Sequence, residues 1–192
     1  MRKAEPAVGA GKGDRRRREI LTVARALLVR DGYDRFVLRT IAERVGMTLG
    51  NLQYYYASRD ELLVALVRAE FGRNQEEVAA IAAGPGAPRV RLAAIARHLI
   101  EVWAHDGGRV YAVMSFLALH QPTFRALHRE IYTAFYDGLV PVLREIRPRA
   151  SHAMLVARAR LITTVIDGAL VQIPGRTFVA DAIEAIVRLA ED

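Results

Sequence analysis

From Asp14 to the end of the chain, apolar residues recur every three or four positions, which is the spacing of one face of an α-helix. In the first predicted helix, at about 14–30, this stripe consists of Ile20, Leu21, Ala24, Leu27 and Leu28. No stretch alternates convincingly between apolar and polar residues as a half-buried β-strand would. The sequence therefore predicts an all-α fold of about nine helices.

Glycine, proline and capping residues mark where the predicted helices begin and end. Two short helices are predicted at about 38–45 and 49–55, and a long helix starts at the Ser58-Arg59-Asp60-Glu61 capping box and reaches about Ala83. Pro141 lies inside one later helix, where we expect a kink or a break. The remaining helices are predicted at about 88–105, 108–120, 122–146, 150–173 and 177–190.

Positive charge is concentrated in the first third of the chain. The net charge is +7, and residues 1–60 contribute +6 of it, with 13 Lys or Arg against 7 Asp or Glu. Such a local excess favours a polyanionic partner. Nearly all of these cations are arginines, whose planar guanidinium groups suit phosphate and guanine. A solvated basic tail is the alternative that charge alone leaves open.

Several classes of protein and site are excluded by what the sequence lacks. Cysteine is absent, so disulfide scaffolds, thiolate metal sites and cysteine nucleophiles are excluded. The five histidines form no HExxH or Glu-x-x-His pattern, and no phosphate-binding loop or nucleophile elbow occurs. The longest apolar run, 110–119, is half of what spans a bilayer. We therefore expect a cytoplasmic protein that is not an enzyme, with no metal and no cofactor.

The most informative stretch is 38–56, LRTIAERVGMTLGNLQYYY, in which two short predicted helices flank a turn that contains glycine. Ala42 permits close approach of the two helices, Gly46 can adopt the left-handed conformation that ends the first, and Thr48 can cap the second. The apolar wedge between them is predicted to comprise Ile41, Val45, Met47, Leu52 and Tyr55. This is the pattern of a helix-turn-helix, whose second helix presents its first turn to the DNA major groove.

Tyr54, Tyr55 and Tyr56 cannot all face the core, because successive helical residues are about 100° apart. We expect Tyr56 in the core and Tyr54 pointing outward, with its hydroxyl group near a phosphate. Tyr55 fits the apolar wedge by its spacing, yet it could also reach the DNA. Gly50, a poor helix former, indicates close approach of a phosphate backbone or of another element.

Region 15–70 resembles the N-terminal DNA-binding domain of TetR-type transcriptional regulators. A lone helix-turn-helix pattern is weak, but here it lies between a matching first helix and a capped fourth helix. The residues that carry the resemblance are Ile20-Leu21-x-x-Ala24, Leu28, Gly32-Tyr33, Ile41-Ala42-x-x-Val45-Gly46-Met47-Thr48, Gly50-Asn51-Leu52-x-Tyr54-Tyr55-Tyr56 and Ser58-Arg59-x-Glu61-Leu62-Leu63.

The resemblance implies major-groove contacts by Thr48, Asn51, Gln53 and Tyr54, and phosphate contacts by Arg39, Tyr55 and Arg59. The predicted DNA-contact set is Arg15, Arg16, Arg39, Thr48, Leu49, Gly50, Asn51, Gln53, Tyr54, Tyr55 and Arg59. Arg15 and Arg16 belong to a basic run that would contact phosphates or enter the minor groove; the alternative is a solvated N-terminus.

Three positions depart from the family pattern. The family often has Thr where Val37 stands, so a phosphate contact there is in doubt. It often has Lys or Arg in place of Leu49 and Tyr in place of Gln53. Leu49 could touch a thymine methyl group and Gln53 could pair with an adenine edge. The base preference of relatives is therefore not transferable to this chain.

Residues 1–13, which are rich in Gly, Ala, Pro and Lys, are predicted to form a flexible basic arm. The resemblance implies a DNA-binding domain at 14–60 and a helical effector-binding and dimerisation domain at 61–192. Stretch 166–170 is also similar to one common in the family. The last two helices would pair with their copies in a homodimer. Candidate ligand contacts are Trp103, Met114, His120, Tyr132 and Tyr136, although an ordinary core explains any single one of them more simply.

Together with these residues, the resemblance implies a ligand-responsive, sequence-specific transcriptional regulator, a repressor that binds a palindromic operator as a dimer and is released by a small molecule. Its expected partners are double-stranded DNA, an effector and a second copy, with no membrane, at the nucleoid. One alternative is a nucleoid-type DNA-binding protein without an effector. The other is an all-α enzyme or small-molecule carrier whose basic N-terminus is incidental.

Overall fold

The computed structural model describes residues 11–171 and 176–191. Within these ranges the chain forms α-helices joined by short turns, with a 3-10 helix at Tyr33–Arg35 and no strand. This confirms the predicted all-α fold. The helices are α1 (Lys12–Asp31), α2 (Leu38–Val45), α3 (Leu49–Tyr55), α4 (Arg59–Ala82), α5 (Pro88–Trp103), α6 (Asp106–His120), α7 (Pro122–Ile146), α8 (His152–Val171) and α9 (Arg176–Glu191).

Two helices start earlier than predicted. Helix α1 begins at Lys12, so the last residues of the predicted arm are helical; residues 1–10 of that arm lie outside the described residues. Helix α6 begins at Asp106 rather than 108 because its two glycines fit against the end of α5. A Cβ atom at Gly108 would lie 2.0 Å from the Trp103 carbonyl oxygen, so the position admits no side chain.

Helix α7 is continuous through Pro141, and the break that proline allowed does not occur. Pro141 lies on the exposed side of the helix, where water can bind the carbonyl group left without an N–H partner. Leu139, Val142 and Leu143 on the opposite side are almost completely buried. Packing of that apolar face holds the helix together across the proline.

The chain divides into two compact units between Leu66 and Val67, within α4, rather than after residue 60. The first unit contains α1 to α3 and the first turns of α4. Its core includes Ile20, Leu27, Leu28, Phe36, Ile41, Leu52, Leu62 and Leu63, each at most 1% exposed. The apolar residues that open α4 are buried, which explains why the first unit extends beyond the predicted boundary.

In the second unit, α7 packs against α6 and α8, while α9 packs against α5 and α8. On α8, Leu155, Ala159 and Ile162 face this core and are at most 1% exposed. The apolar spacing of this segment continues in the sequence to position 173, which lies outside the described residues. Among the described residues, no helix is long and apolar enough to cross a membrane.

Candidate nucleic-acid interface

The turn between α2 and α3 has the geometry that its sequence predicts. Gly46 adopts the left-handed conformation, with φ 70° and ψ 38°, and ends α2. The Met47 N–H group donates to the Ala42 carbonyl oxygen at 2.9 Å. Thr48 caps α3, because its Oγ1 accepts a hydrogen bond from the Asn51 N–H group at 3.2 Å. The helix-turn-helix is therefore closed by its own backbone and capping bonds.

The residues predicted to face the major groove are all exposed around the first turns of α3. They are Thr48, Leu49, Gly50, Asn51, Gln53 and Tyr54. Tyr54 is 84% exposed and Leu49 is 39% exposed, so neither large apolar side chain contributes to the core. In contrast, Leu52 on the same helix is fully buried. One side of α3 holds the unit together and the rest presents hydrogen-bonding and apolar groups to solvent.

The three tyrosines have three different environments. Tyr56 is 6% exposed and belongs to the core, and Tyr54 points outward, as predicted. Tyr55 is half-buried, its ring lies edge-on to that of Tyr54 at 5.4 Å, and the Arg17 guanidinium group is 5.7 Å from its centre. Tyr55 therefore connects α3 to the basic start of α1 and stays within reach of solvent.

Gly50 has no packing partner within the protein. A Cβ atom placed on it would have no neighbouring protein atom within 4 Å, and its backbone is ordinary helix. No other element among the described residues therefore approaches this glycine. Close approach of a DNA backbone stays a prediction.

Exposed arginines surround this surface. Arg15 is exposed, and Arg16 forms a 2.6 Å ion pair with Glu19. The Arg39 side chain is 81% exposed and lies 3.4 Å from Glu43. Exposed ion pairs of this kind contribute about 1 kcal/mol or less, so the guanidinium groups can exchange a carboxylate for a phosphate at little cost.

Arg59 lies in a different environment from these exposed arginines. Its guanidinium group stacks 3.8 Å from the centre of the Tyr33 ring and donates to the Tyr33 carbonyl oxygen at 2.5 Å. The neighbouring capping box forms, since Ser58 Oγ accepts from the Glu61 N–H group at 3.1 Å and Glu61 accepts from the Ala57 N–H group at 2.9 Å. Sequence reasoning missed this structural role of Arg59, and its phosphate contact stays a prediction.

The second unit contains a pocket with a cavity volume of about 20 Å³. Of the five candidate ligand contacts, Trp103 and Tyr132 line it. Met114 is fully buried, Tyr136 is half-buried and His120 is exposed, and none of these three is part of the lining. The walls include the aromatic side chains Phe71, Trp103, Tyr111, Tyr132 and Phe135 and one carboxylate, Asp167.

Asp167 was not among the predicted site residues. Its Oδ2 accepts a 2.7 Å hydrogen bond from Tyr132, whose hydroxyl oxygen lies 2.8 Å from that of Tyr111. Burial raises the pKa of Asp167 to about 6, although the two tyrosine hydroxyl groups lower it. The sequence signal was an acidic residue in the otherwise apolar stretch 161–170.

The sequence has relatives among bacterial repressors. Residues 20–66 match the family model of bacterial regulatory proteins, tetR family. Over 89 residues the chain is 32% identical to the HTH-type transcriptional repressor KstR of Mycolicibacterium smegmatis, an alignment that spans 46% of this chain and 44% of that repressor. The alignment therefore covers less than half of the curated relative.

Solved structures of other regulators share the fold of this chain over almost its full length. A TetR transcription regulator from Haloarcula marismortui superposes with a TM-score of 0.78 at 19% identity, over 92% of this chain and 97% of that one. A transcriptional regulator from Saccharomonospora viridis, solved in complex with choline, gives a TM-score of 0.72 at 20% identity, over 91% and 95%. Residues 20–66 therefore match the tetR family of bacterial regulatory proteins, and the two solved structures show that the chain shares the fold of such regulators.

Proposed function

We propose that this protein is a dimeric, sequence-specific transcriptional repressor that binds a near-palindromic operator and releases it when a small molecule occupies the second unit. The observation that carries the proposal is the exposed surface of α3, from Thr48 to Tyr54. The curated relatives are named transcriptional repressors, which supports regulation over catalysis. We place the protein at the nucleoid, in the cytoplasm.

The side chains around α3 supply the chemistry that base recognition needs. Asn51 and Gln53 each carry a donor and an acceptor, which suits the adenine edge in the major groove. Leu49 offers an apolar contact for a thymine methyl group, and the Tyr54 hydroxyl group suits a phosphate. The exposed arginines add contacts that are independent of sequence and sensitive to salt.

Recognition of two half-sites needs a second copy of the chain, because one α3 helix contacts only one half-site. Apolar residues of α8 and α9, such as Ile162 and Ile186, are buried inside the unit, so the opposite side of α8 is the surface left for a partner. Met154 and Leu161 lie seven residues apart on that side and are each 52% exposed. A two-fold dimer through α8 and α9 would recognise half-sites one DNA turn apart, or a multiple of it.

The pocket of the second unit supports a small effector. The Saccharomonospora viridis regulator, which shares this fold, was solved in complex with choline, which supports a small ligand for this chain as well. The effector releases DNA if it binds more tightly to a state whose two recognition helices do not match the spacing of the half-sites. To shift the ratio of the two states from 1:99 to 99:1, the effector must bind the favoured state about 10⁴-fold more tightly than the other.

Selection of bound sequences from a random DNA pool, at low and high salt, tests the proposal. We expect an enriched inverted repeat, with weaker retention at high salt. Retention without enrichment would instead support a nucleoid-type protein, and no retention at low salt would refute DNA binding.

Two variants then assign the interface. Asn51→Ala and Tyr54→Ala should abolish binding to the selected repeat while the dimer survives in sedimentation. Glu101→Ala, at an exposed position of α5, serves as the control and should bind like the parent. Undiminished operator affinity in the first two variants would contradict the assignment of α3 as the recognition helix.

A further inference from the structure

The pocket of the second unit has aromatic walls. Trp103 contacts Tyr111 edge-on at 4.8 Å between ring centres and lies 4.9 Å from Phe71, which in turn meets Phe135 at 5.9 Å. Tyr132 completes the set of rings. Ring faces carry partial negative charge and attract cations, with quaternary and primary ammonium groups as typical ligands. The walls therefore favour a positively charged ligand over an anion.

One carboxylate faces this aromatic pocket. Asp167 accepts a hydrogen bond from Tyr132, and burial raises its pKa while the hydroxyl groups of Tyr132 and Tyr111 lower it. Since that pKa is about 6, the group is ionised near neutral pH. Among the side chains that the structure describes, Asp167 forms no ion pair. The pocket thus carries a half-buried negative charge that two neutral hydroxyl groups only partly stabilise.

An ionised, buried carboxylate without a cation is costly, and proteins usually pair such a group. From the aromatic walls and this carboxylate together, we propose that the pocket binds a small organic ammonium cation, with the charged nitrogen beside Asp167 and its alkyl groups against Trp103 and Tyr111. This rests on the proposed function, since it names the chemical class of the effector. The cavity between the rings is only about 20 Å³, so a small cation fits if the surrounding side chains move apart.

A purely structural role for Asp167 makes a different prediction. In that case the hydrogen bond from Tyr132 only fixes α7 to α8, and an uncharged asparagine, which also accepts a hydrogen bond, would serve equally well. An uncharged ligand of the same size would then bind as well as a cation. The charge of the ligand and the charge of residue 167 therefore distinguish the two roles.

The experiment is a titration followed by the fluorescence of Trp103, which is the only tryptophan of the chain and lines the pocket. The ligands are tetramethylammonium, tert-butylammonium and tert-butanol, which match in size and differ in charge, at constant ionic strength. The free protein is used without DNA. We expect a saturable change with at least one of the cations, and none with tert-butanol at the same concentrations.

Two variants complete the test. Asp167→Asn should weaken the affinity for the cation roughly tenfold or more, whereas Asp137→Asn, at an exposed position of α7, should leave it unchanged. Thermal unfolding confirms that each variant is folded. If Asp167→Asn does not fold, the comparison of the cations with tert-butanol in the parent protein still decides the question.

The outcomes separate this inference from the proposed function. Equal binding of tert-butanol and the cations, or no cation binding in a protein that still selects an inverted repeat, would overturn the inference and leave the repressor proposal standing. Cation binding in a protein that selects no DNA sequence would support the pocket assignment and refute the repressor proposal.

Discussion

The Arg59 guanidinium group stacks on the Tyr33 ring at 3.8 Å and also donates a hydrogen bond to the carbonyl oxygen of the same residue. This double contact joins the start of α4 to the 3-10 helix that follows α1. A residue that its family resemblance assigns to phosphate binding is therefore also a structural clamp within the first unit.

Replacing Arg59 tests this clamp. Arg59→Ala should lower the free energy of unfolding of the first unit by about 1–3 kcal/mol, because a cation–π contact and a charge-assisted hydrogen bond are lost. Arg39→Ala, at an 81% exposed side chain, should change it by less than about 0.5 kcal/mol yet weaken DNA binding. Urea unfolding followed by circular dichroism measures both. Equal midpoints for Arg59→Ala and the parent would show that the clamp contributes nothing.

Replacing Gly50 should change stability and operator affinity in opposite directions. Gly50→Ala should stabilise α3 by up to about 1 kcal/mol, because alanine is the better helix former and the new methyl group meets no protein atom. The same methyl group should weaken operator affinity by obstructing the DNA backbone. A gel-shift titration and a thermal melt of the same preparation give both values. Unchanged affinity would show that DNA does not approach this position.

Helix α2 lacks a side-chain cap, because Val37 occupies its N-cap position with an extended backbone. Val37→Thr should therefore raise stability by about 0.5–2 kcal/mol through a new hydrogen bond to the first turn. It should also strengthen DNA binding if its hydroxyl group meets a phosphate, as in relatives. Val37→Ala is the control without a hydroxyl group, and a gain in that variant would attribute the effect to something other than capping.

Asp167 makes the stability of the second unit depend on pH. Its pKa is raised from 3.8 to about 6, so the folded state binds the proton more tightly than the unfolded chain. The contribution of Asp167 to the free energy of unfolding is therefore most favourable below about pH 4. It falls by on the order of 3 kcal/mol as the pH rises to about 6. The facing tyrosines, Tyr111 and Tyr132, stay neutral because burial raises their pKa values.

The corresponding variant, Asp167→Asn, should remove this pH dependence. It should have a higher free energy of unfolding than the parent at about pH 8. This difference should be smaller or absent at about pH 4. Urea unfolding followed by Trp103 fluorescence reports on the second unit directly. A parent and a variant with parallel pH profiles would show that Asp167 does not carry an uncompensated charge.

The proposed dimer depends on the exposed side of α8. Leu161→Asp should convert the protein to a monomer, because two aspartates would face each other or the apolar surface of the partner across the two-fold axis. Leu119→Asp, at a 72% exposed residue of α6, should leave the dimer intact. Sedimentation equilibrium distinguishes the two. A stable dimer of Leu161→Asp would place the interface elsewhere.

Local chemistry explains which parts of the fold could be predicted. The bounds of α2, α3 and α7 agree with the sequence because capping residues, a left-handed glycine and prolines act on their own helix ends. The exposed position of Tyr54 follows from its place on α3, whereas Tyr56 is the C-cap of that helix, with an extended backbone, so helical spacing alone does not account for its burial. The start of α6 was wrong because it depends on contact between Gly108 and the end of α5.

The pocket could not be predicted in the same way. Tyr132 and Asp167 are 35 positions apart, and nothing in the local sequence of either residue shows that α7 and α8 bring them to 2.7 Å. Aromatic residues in a helical domain are ordinary core by default, which is why Met114 and Tyr136 were considered alongside Trp103. An acidic residue inside an apolar stripe was the stronger signal.

The exposure of Leu49 and Gln53 has a consequence for how such regulators diverge. Both positions depart from the residues common in the family, and neither side chain helps to hold α3 in place, since Leu52 and the capping bond of Thr48 do that. Mutations at the two exposed positions can therefore accumulate without unfolding the domain. Descendants of a duplicated gene could acquire new operators by drift at these positions while they keep one inherited scaffold.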